Sequence, residues 1–283
     1  MERESLLCVL IIVLGGLALQ CSAIWFKGQD RASDSHELER LRWFALWRPV
    51  VAAMFVAAGL IGWATSQPDP VPDHVGPLVF VIGAPFALIF LRAAVRASWS
   101  LLRPAGGYSI ATVGLIRPRV VLAPELAQSL DEQALEAALA HERAHVRNHD
   151  PLRIWIGQFA ADMQWPWALG ERRFAAWLEA LELARDDDAR AEGIDGAALA
   201  AAVLGSLRFQ TQGRGVVARL TGDEAGLQAR IARLLKPLSN APVPQGPSPL
   251  RVAGSLTLGY ALAVALGAAF GESLIRPLLA LTS

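Results

Sequence analysis

Two histidines and a glutamate stand close together in the run His141-Glu142-Arg143-Ala144-His145. On a helix, residues four apart lie on one face, so both imidazoles can reach one zinc ion at about 2.0–2.1 Å. Glu142 then lies beside the same ion. Its carboxylate can take a proton from a water molecule that attacks a peptide carbonyl and deliver it to the leaving amine. The spacing therefore predicts a zinc site with a general base.

Catalytic zinc needs a third protein ligand and one open position. Glu182 is the favoured ligand because Asp186, one turn later on the same predicted helix, can accept a hydrogen bond from the free ring nitrogen of a ligating histidine. Glu179, which has no such neighbour, remains the alternative. Asp187 and Asp188 continue the acidic run, and we expect them to form a solvated helix face.

The elements around the histidines follow from turn and cap signals. A capping box of Ser129 and Glu132 is expected to begin their helix, which runs to about Asp150. A regular helix places His149 too far along its axis to join the same ion. A hairpin precedes this helix, with strands at Tyr108–Val113 and Arg119–Leu122. Further helices are predicted at 169–191, 197–209 and 224–235, and a proline-rich linker at 240–249.

Composition indicates a membrane protein. Of 283 residues, 53% are hydrophobic and 18% charged, against roughly 25% charged in soluble domains. Four apolar runs are long enough to cross a bilayer, at about 6–26, 49–64, 77–95 and 252–270. We therefore divide the chain into residues 1–103 with three spans, a polar domain over 104–248, and residues 249–283 with the fourth span.

The charges and cysteines exclude several classes of protein. The 26 basic residues cancel the 26 acidic ones, so direct binding of nucleic acid is not expected. Cys8 and Cys21 lie in one apolar run and no cysteine follows them. A cysteine zinc cluster and a cysteine nucleophile in the polar domain are thereby excluded.

Loop charges predict the orientation, because short cytoplasmic loops collect lysine and arginine. The loop after the first span is basic, whereas the loop Ser66–Gly76 has no lysine or arginine. We expect both termini outside and the polar domain in the cytoplasm, attached to the cell (inner) membrane. The basic residues of the first loop are Lys27, Arg31, Arg40, Arg42 and Arg48.

These motifs together resemble the membrane zinc metallopeptidases typified by the BlaR and MecR antibiotic sensor-transducers. The similarity extends from Val113 to about Leu235 and includes the four-span layout. Its pieces are Gly114-Leu115-Ile116-Arg117-Pro118, Val121-Leu122-Ala123-Pro124, His141-Glu142 to Asp150, Trp165-Pro166, and Glu182-Leu183-Ala184-Arg185-Asp186. Two positions depart from the family. Arg143 stands where the family usually has an apolar residue, and Arg185 stands where a cysteine is common.

The resemblance implies a mainly α fold, with four transmembrane helices and an inserted α+β zincin-like (gluzincin) metallopeptidase domain. It implies that His141, His145 and Glu182 bind zinc and that Glu142 is the catalytic base. It also implies a cytoplasmic domain that cleaves a transcriptional repressor, or itself, on a signal. The sequence ends at Ser283, just after the fourth span. We therefore expect no extracellular penicillin-binding sensor, and a signal received through the spans, the outer loop or a partner protein.

The leading hypothesis is an integral-membrane zinc endopeptidase that acts on a regulatory or juxtamembrane protein. The alternative enzyme is a membrane quality-control protease of the HtpX/Ste24-like kind. A non-catalytic signalling scaffold stabilised by zinc is the alternative from another class, although it would not need Glu142. Small residues recur every fourth position in the last span, at Gly259, Ala263, Gly267 and Gly271. This face predicts a helix contact, either within the chain or in a homodimer.

Overall fold

The computed structural model describes most of the polar domain and the apolar helices. Arg103, the outer-loop residues 67–76 and the linker residues 240–248 lie outside the described residues, as do Tyr108 and Ser109. The described residues are 3–25, 32, 34–66, 77–102, 110–213, 224–237 and 249–280.

The fold is mainly helical, and four of its described helical segments are long and apolar enough to cross a membrane, as predicted. The first segment consists of α1, a π-helical turn at Ile11–Gly15, and α2. The others are α3, α4 and, after the polar domain, α11. Their bounds are α1 Arg3–Leu10, α2 Gly16–Trp25, α3 Ser35–Ser66, α4 Pro77–Leu102 and α11 Pro249–Ala280.

Helix α3 begins well before the apolar run predicted at 49–64. It starts at Ser35 and continues through Pro49. The polar first half packs along helix α8 of the domain (Ala168–Ala191), where the tilted rings of Trp43 and Trp177 are in contact with centroids 4.7 Å apart. Leu46 and Trp177 are fully buried there. The charges of this stretch are typical of a loop, but Arg42 and Glu39 pair with Glu179 and Arg185 of α8.

Strands β1 (Ile110–Val113) and β2 (Arg119–Leu122) form the predicted antiparallel hairpin, with Ile110 opposite Leu122. Gly114 makes the turn possible with a φ of +98°. A side chain there would be strained, and its Cβ would lie 2.7 Å from the carbonyl oxygen of Arg117. The hairpin packs against the helix that contains the histidines.

The polar domain continues with six helices in the described part of the chain. The first of these helices is short, and the second, which is longer, contains His141 and His145. Their bounds are α5 Pro124–Ser129, α6 Glu132–Arg147, α7 Asp150–Asp162, α8 Ala168–Ala191, α9 Gly196–Gly213 and α10 Glu224–Leu234.

The predicted capping box of Ser129 and Glu132 is wrong. Asp131 caps α6, because its side chain accepts a hydrogen bond of 2.7 Å from the amide of Ala134. Pro124 begins a helix of its own, so Ser129 falls at the end of that helix and donates to the carbonyl of Leu126. Aspartate at the N-cap provides the same stabilisation as the expected serine.

The small-residue face of α11 packs against α3 within the same chain. A Cβ at Gly267 would lie 1.8 Å from the carbonyl oxygen of Gly59. A Cβ at Gly62 of α3 would lie 2.0 Å from the carbonyl oxygen of Val264. The two backbones approach this closely only because both helices have glycine at the contact.

We predict that Gly267→Leu destabilises the protein by at least about 1–3 kcal/mol, because the added side chain must force α3 and α11 apart. Gly254→Leu is the control, since no atom lies within 4 Å of a Cβ at that position of the same helix. Thermal unfolding in detergent micelles measures the difference. Equal melting temperatures for the two variants would contradict this packing.

Candidate metal site

Helices α6 and α8 bring three side chains to one point. His141 Nε2 and His145 Nε2 lie 3.1 Å apart, which is the result of their spacing by one helical turn. Glu182 of α8 places Oε2 3.3 Å from His141 Nε2 and Oε1 3.6 Å from His145 Nε2. These atoms offer two nitrogen ligands and one oxygen ligand within 4.8 Å of one another.

The separations fit a single tetrahedral ion. Ligands at about 2.05 Å from zinc in tetrahedral geometry lie about 3.3 Å from each other. The separation of the two imidazole nitrogens, 3.1 Å, and that of His141 Nε2 from Glu182 Oε2, 3.3 Å, are both close to that value. The donor set of two imidazoles and one carboxylate is also one that zinc uses in catalytic sites with an open fourth position.

Electrostatics favours a cation at this point. Burial disfavours the charged form of His141, but Asp186 and Glu182 outweigh it and raise the pKa of this histidine to about 9. Burial likewise opposes ionisation of Glu182, yet His141 and Arg230 hold its pKa well below the usual range. Without a metal, a proton on His141 therefore neutralises the carboxylates, and a bound dication would displace it.

Asp186 lies behind His141, as its predicted supporting role requires. Its Oδ1 is 3.0 Å from His141 Nδ1, although the ring N–H is not aligned for a hydrogen bond. The carboxylate is completely buried. Arg230 of α10 donates to both of its oxygens, at 2.7 and 2.8 Å, and lies 3.1 Å from Glu182 Oε2. Sequence reasoning missed Arg230, because no spacing rule relates α10 to α8.

Asp150 supports the second histidine and was also missed. Its Oδ2 lies 2.8 Å from His145 Nδ1, and the carboxylate is completely buried. The predicted continuation of the helix to Asp150 is wrong. Helix α6 ends at Arg147, and His149 adopts a left-handed conformation with φ +52° that starts α7. This turn directs Asp150 back toward His145, a geometry that Pro151 at the start of a new helix could have suggested.

Glu142 lies at the hairpin side of the site. The hydroxyl of Thr112 in β1 is 2.8 Å from Glu142 Oε2 and 3.0 Å from the backbone carbonyl of Glu142. Glu142 also lines a cavity of about 230 Å³ together with His141 and Glu182. The remaining walls of the cavity are mainly apolar residues of α9, among them Leu199, Val203 and Leu207. Thr112 carried no signal in the sequence.

The other sequence candidates lie elsewhere. Glu179, the alternative third ligand, has a side chain that is 59% exposed and pairs with Arg42 of α3. His149 is exposed and makes the turn between α6 and α7.

The expected solvated face at Asp187 and Asp188 is wrong, because both side chains are mostly buried in ion pairs. Asp187 contacts Arg233 and Ser35. Asp188 contacts Arg185 of its own helix and lies 3.4 Å from His36 of α3. Asp187 and Asp188 therefore contact charged side chains rather than form a solvated face.

Comparison with known proteins finds a family match over the segment that contains the two histidines. A family model described as BlaR1 peptidase M56 matches residues 109–168. The matched segment runs from the hairpin through α7 and includes both histidines and Glu142. It ends before Glu182. No curated protein and no solved structure matches the chain.

We predict that His141→Ala, His145→Ala and Glu182→Ala each lose tightly bound zinc, because each removes one of three converging ligand atoms. Asp186→Ala should weaken zinc binding about 10- to 100-fold, as changes behind a ligand do. Metal analysis of the purified variants and competition with a chelator measure both effects. Glu179→Ala is the control, and full zinc occupancy in Glu182→Ala together with loss in Glu179→Ala would reverse the assignment.

Proposed function

We propose that this chain belongs to the BlaR/MecR-type peptidase family and is an integral-membrane zinc endopeptidase with its active site in the cytoplasm. The family match over residues 109–168 indicates a metallopeptidase, and the apolar helices indicate a membrane protein. One observation carries the proposal further. His141, His145 and Glu182 lie close enough together to hold one metal ion, and Glu142 lines the same cavity as His141 and Glu182.

In this proposal His141, His145 and Glu182 bind the zinc ion in a zincin-like (gluzincin) arrangement. When bound, zinc polarises the peptide carbonyl and lowers the pKa of water. Glu142 accepts the proton of the attacking water and delivers it to the leaving amine. The Thr112 hydroxyl, 2.8 Å from Glu142 Oε2, orients the carboxylate so that its other oxygen remains available for the proton. The carboxylates of Asp150 and Asp186 lie 2.8 and 3.0 Å from the Nδ1 atoms of His145 and His141, and their negative charge favours a proton on these nitrogens, which face away from the metal.

The packing of the domain against the membrane helices supports a cytoplasmic site. The domain contacts the start of α3 and the later halves of α2 and α4. Gln20 of α2 donates to the carbonyls of Met163 and Trp165, and Trp155 donates to the carbonyl of Ala97 in α4. If the spans alternate in direction, these ends share the side of the basic first loop, which the positive-inside rule assigns to the cytoplasm.

The proposed substrate is a protein reached from the inner face of the membrane. A domain tethered between two spans meets cytoplasmic and juxtamembrane chains. A repressor-type regulator, with a role in signal transduction, is favoured through the family resemblance. The cavity beside Glu142 has an apolar wall from α9, so an apolar side chain next to the cleaved bond suits it. The activating signal would come through the spans or a sensor partner.

We predict that Glu142→Gln binds zinc normally but loses at least about 10²-fold in peptide hydrolysis, because an amide cannot transfer the proton. Zinc content and cleavage of a fluorescent casein substrate are measured on the same preparation. Glu136→Gln is the matched control, since Glu136 is an exposed residue of the same helix. Undiminished cleavage by the Glu142 variant would end this mechanism.

We also predict opposite locations for two reporter fusions. Alkaline phosphatase, which folds only in an oxidising compartment, should be active when fused at Pro72 and inactive when fused at Asn240. The reason is the lysine and arginine asymmetry of the loops. An active fusion at Asn240 would place the peptidase domain outside the cytoplasm.

A further inference from the structure

Two carboxylates and two guanidinium groups form a closed ring beside the candidate metal site, and three of the four side chains are buried while Arg153 is partly exposed. Glu39 of α3 accepts hydrogen bonds from Arg153 of α7 and, at 3.2 Å, from Arg185 of α8. The same two arginines donate to Asp150, at 3.0 and 2.7 Å. Glu39, Asp150 and Arg185 are at most 4% exposed. The ring is neutral, because each carboxylate lies between both guanidinium groups and each guanidinium between both carboxylates.

One oxygen of Asp150 connects this ring to the site. Asp150 Oδ2 lies 2.8 Å from His145 Nδ1 and also accepts the bond from Arg185 Nε. The histidine and the arginine therefore share a single acceptor atom. How strongly that oxygen supports His145 depends on how far the guanidinium groups are satisfied by their other partners, which are Glu39 for both arginines and, in addition, Asp188 for Arg185.

We infer that Glu39 is a positioning residue for the metal site, acting through Arg153, Arg185 and Asp150 on His145. If Glu39 were neutral, Arg153 would keep only Asp150 as a carboxylate partner among the described residues, and Arg185 would keep Asp150 and the partly exposed Asp188. Both would draw more strongly on Asp150 and weaken its hydrogen bond to His145 Nδ1. This inference rests on the proposed zinc site, and it adds a residue more than one hundred positions away from the histidines in sequence.

The position of Glu39 connects the ring to a membrane helix. Glu39 lies in the polar first half of α3, and the same helix continues without a break into the second apolar segment. The ring is therefore a direct contact between a membrane helix and the support of a metal ligand. A movement of α3 relative to α7 must alter the Glu39–Arg153 pair, and through it the environment of Asp150.

The test uses the full chain in detergent micelles and zinc alone as the probe. Glu39→Gln keeps the size of the side chain and removes its charge. We expect zinc affinity, measured by competition with a chromophoric chelator, to fall roughly 3- to 10-fold, less than the 10- to 100-fold typical of a direct partner of a ligand. The visible spectrum of the cobalt-substituted variant should shift, since it reports ligand geometry.

A second substitution separates positioning from general stability. Removing one positive charge, as in Glu39→Gln/Arg185→Met, rebalances the ring, so zinc affinity should return toward that of the native chain. If the loss of zinc affinity in the double variant equals the sum of the losses in the two single variants, the inference is overturned. If the double variant does not fold, an unshifted cobalt spectrum in Glu39→Gln would overturn it instead.

Glu179→Gln is the matched control, because it makes the same chemical change at an α3–α8 ion pair outside the ring. It should leave zinc affinity and the cobalt spectrum unchanged. Native zinc affinity in Glu39→Gln refutes the role of Glu39 but leaves the proposed peptidase intact. A native chain that binds no zinc would instead refute the proposed function.

Discussion

The carboxylates of Asp150 and Asp186 are completely buried beside two histidines, and buried charges are costly unless they are paired. Each is accordingly bound by arginine, Asp150 by Arg153 and Arg185, and Asp186 by Arg230. These pairs join α7, α8 and α10, so the same contacts that neutralise the carboxylates also fix the elements around the histidines. The convergence of α6 and α8 at the metal site depends on this pairing.

Arginine is suited to this role because its planar group makes several directed hydrogen bonds at once. Arg230 uses two of its nitrogens on Asp186 and a third near Glu182. Arg185 contacts three carboxylates from three elements. A neutral side chain at position 185, where the resembled family commonly has cysteine, could not make these contacts. In this chain Glu39 and Asp188 are present to form ion pairs with Arg185.

The sequence predicted the parts of the site that lie within one helix. His141 and His145 follow from a spacing of one turn, and Glu182 was favoured over Glu179 because Asp186 follows one turn later. Asp150, Thr112, Arg230 and Glu39 could not be found this way, because each comes from another element and residue type alone does not reveal a partner. The mainly helical fold and the apolar segments were predictable from composition, whereas the long polar start of α3 was not. Its charges resemble those of a loop until α8 is present to neutralise them.

We propose that two histidines and one glutamate of this chain bind one zinc ion. X-ray absorption at the zinc edge of the purified protein tests it most directly, because the spectrum distinguishes imidazole, oxygen and sulfur ligands. We expect two imidazole nitrogens and additional oxygen ligands at about 2.0–2.1 Å. Three imidazoles, or sulfur at about 2.3 Å, would contradict it.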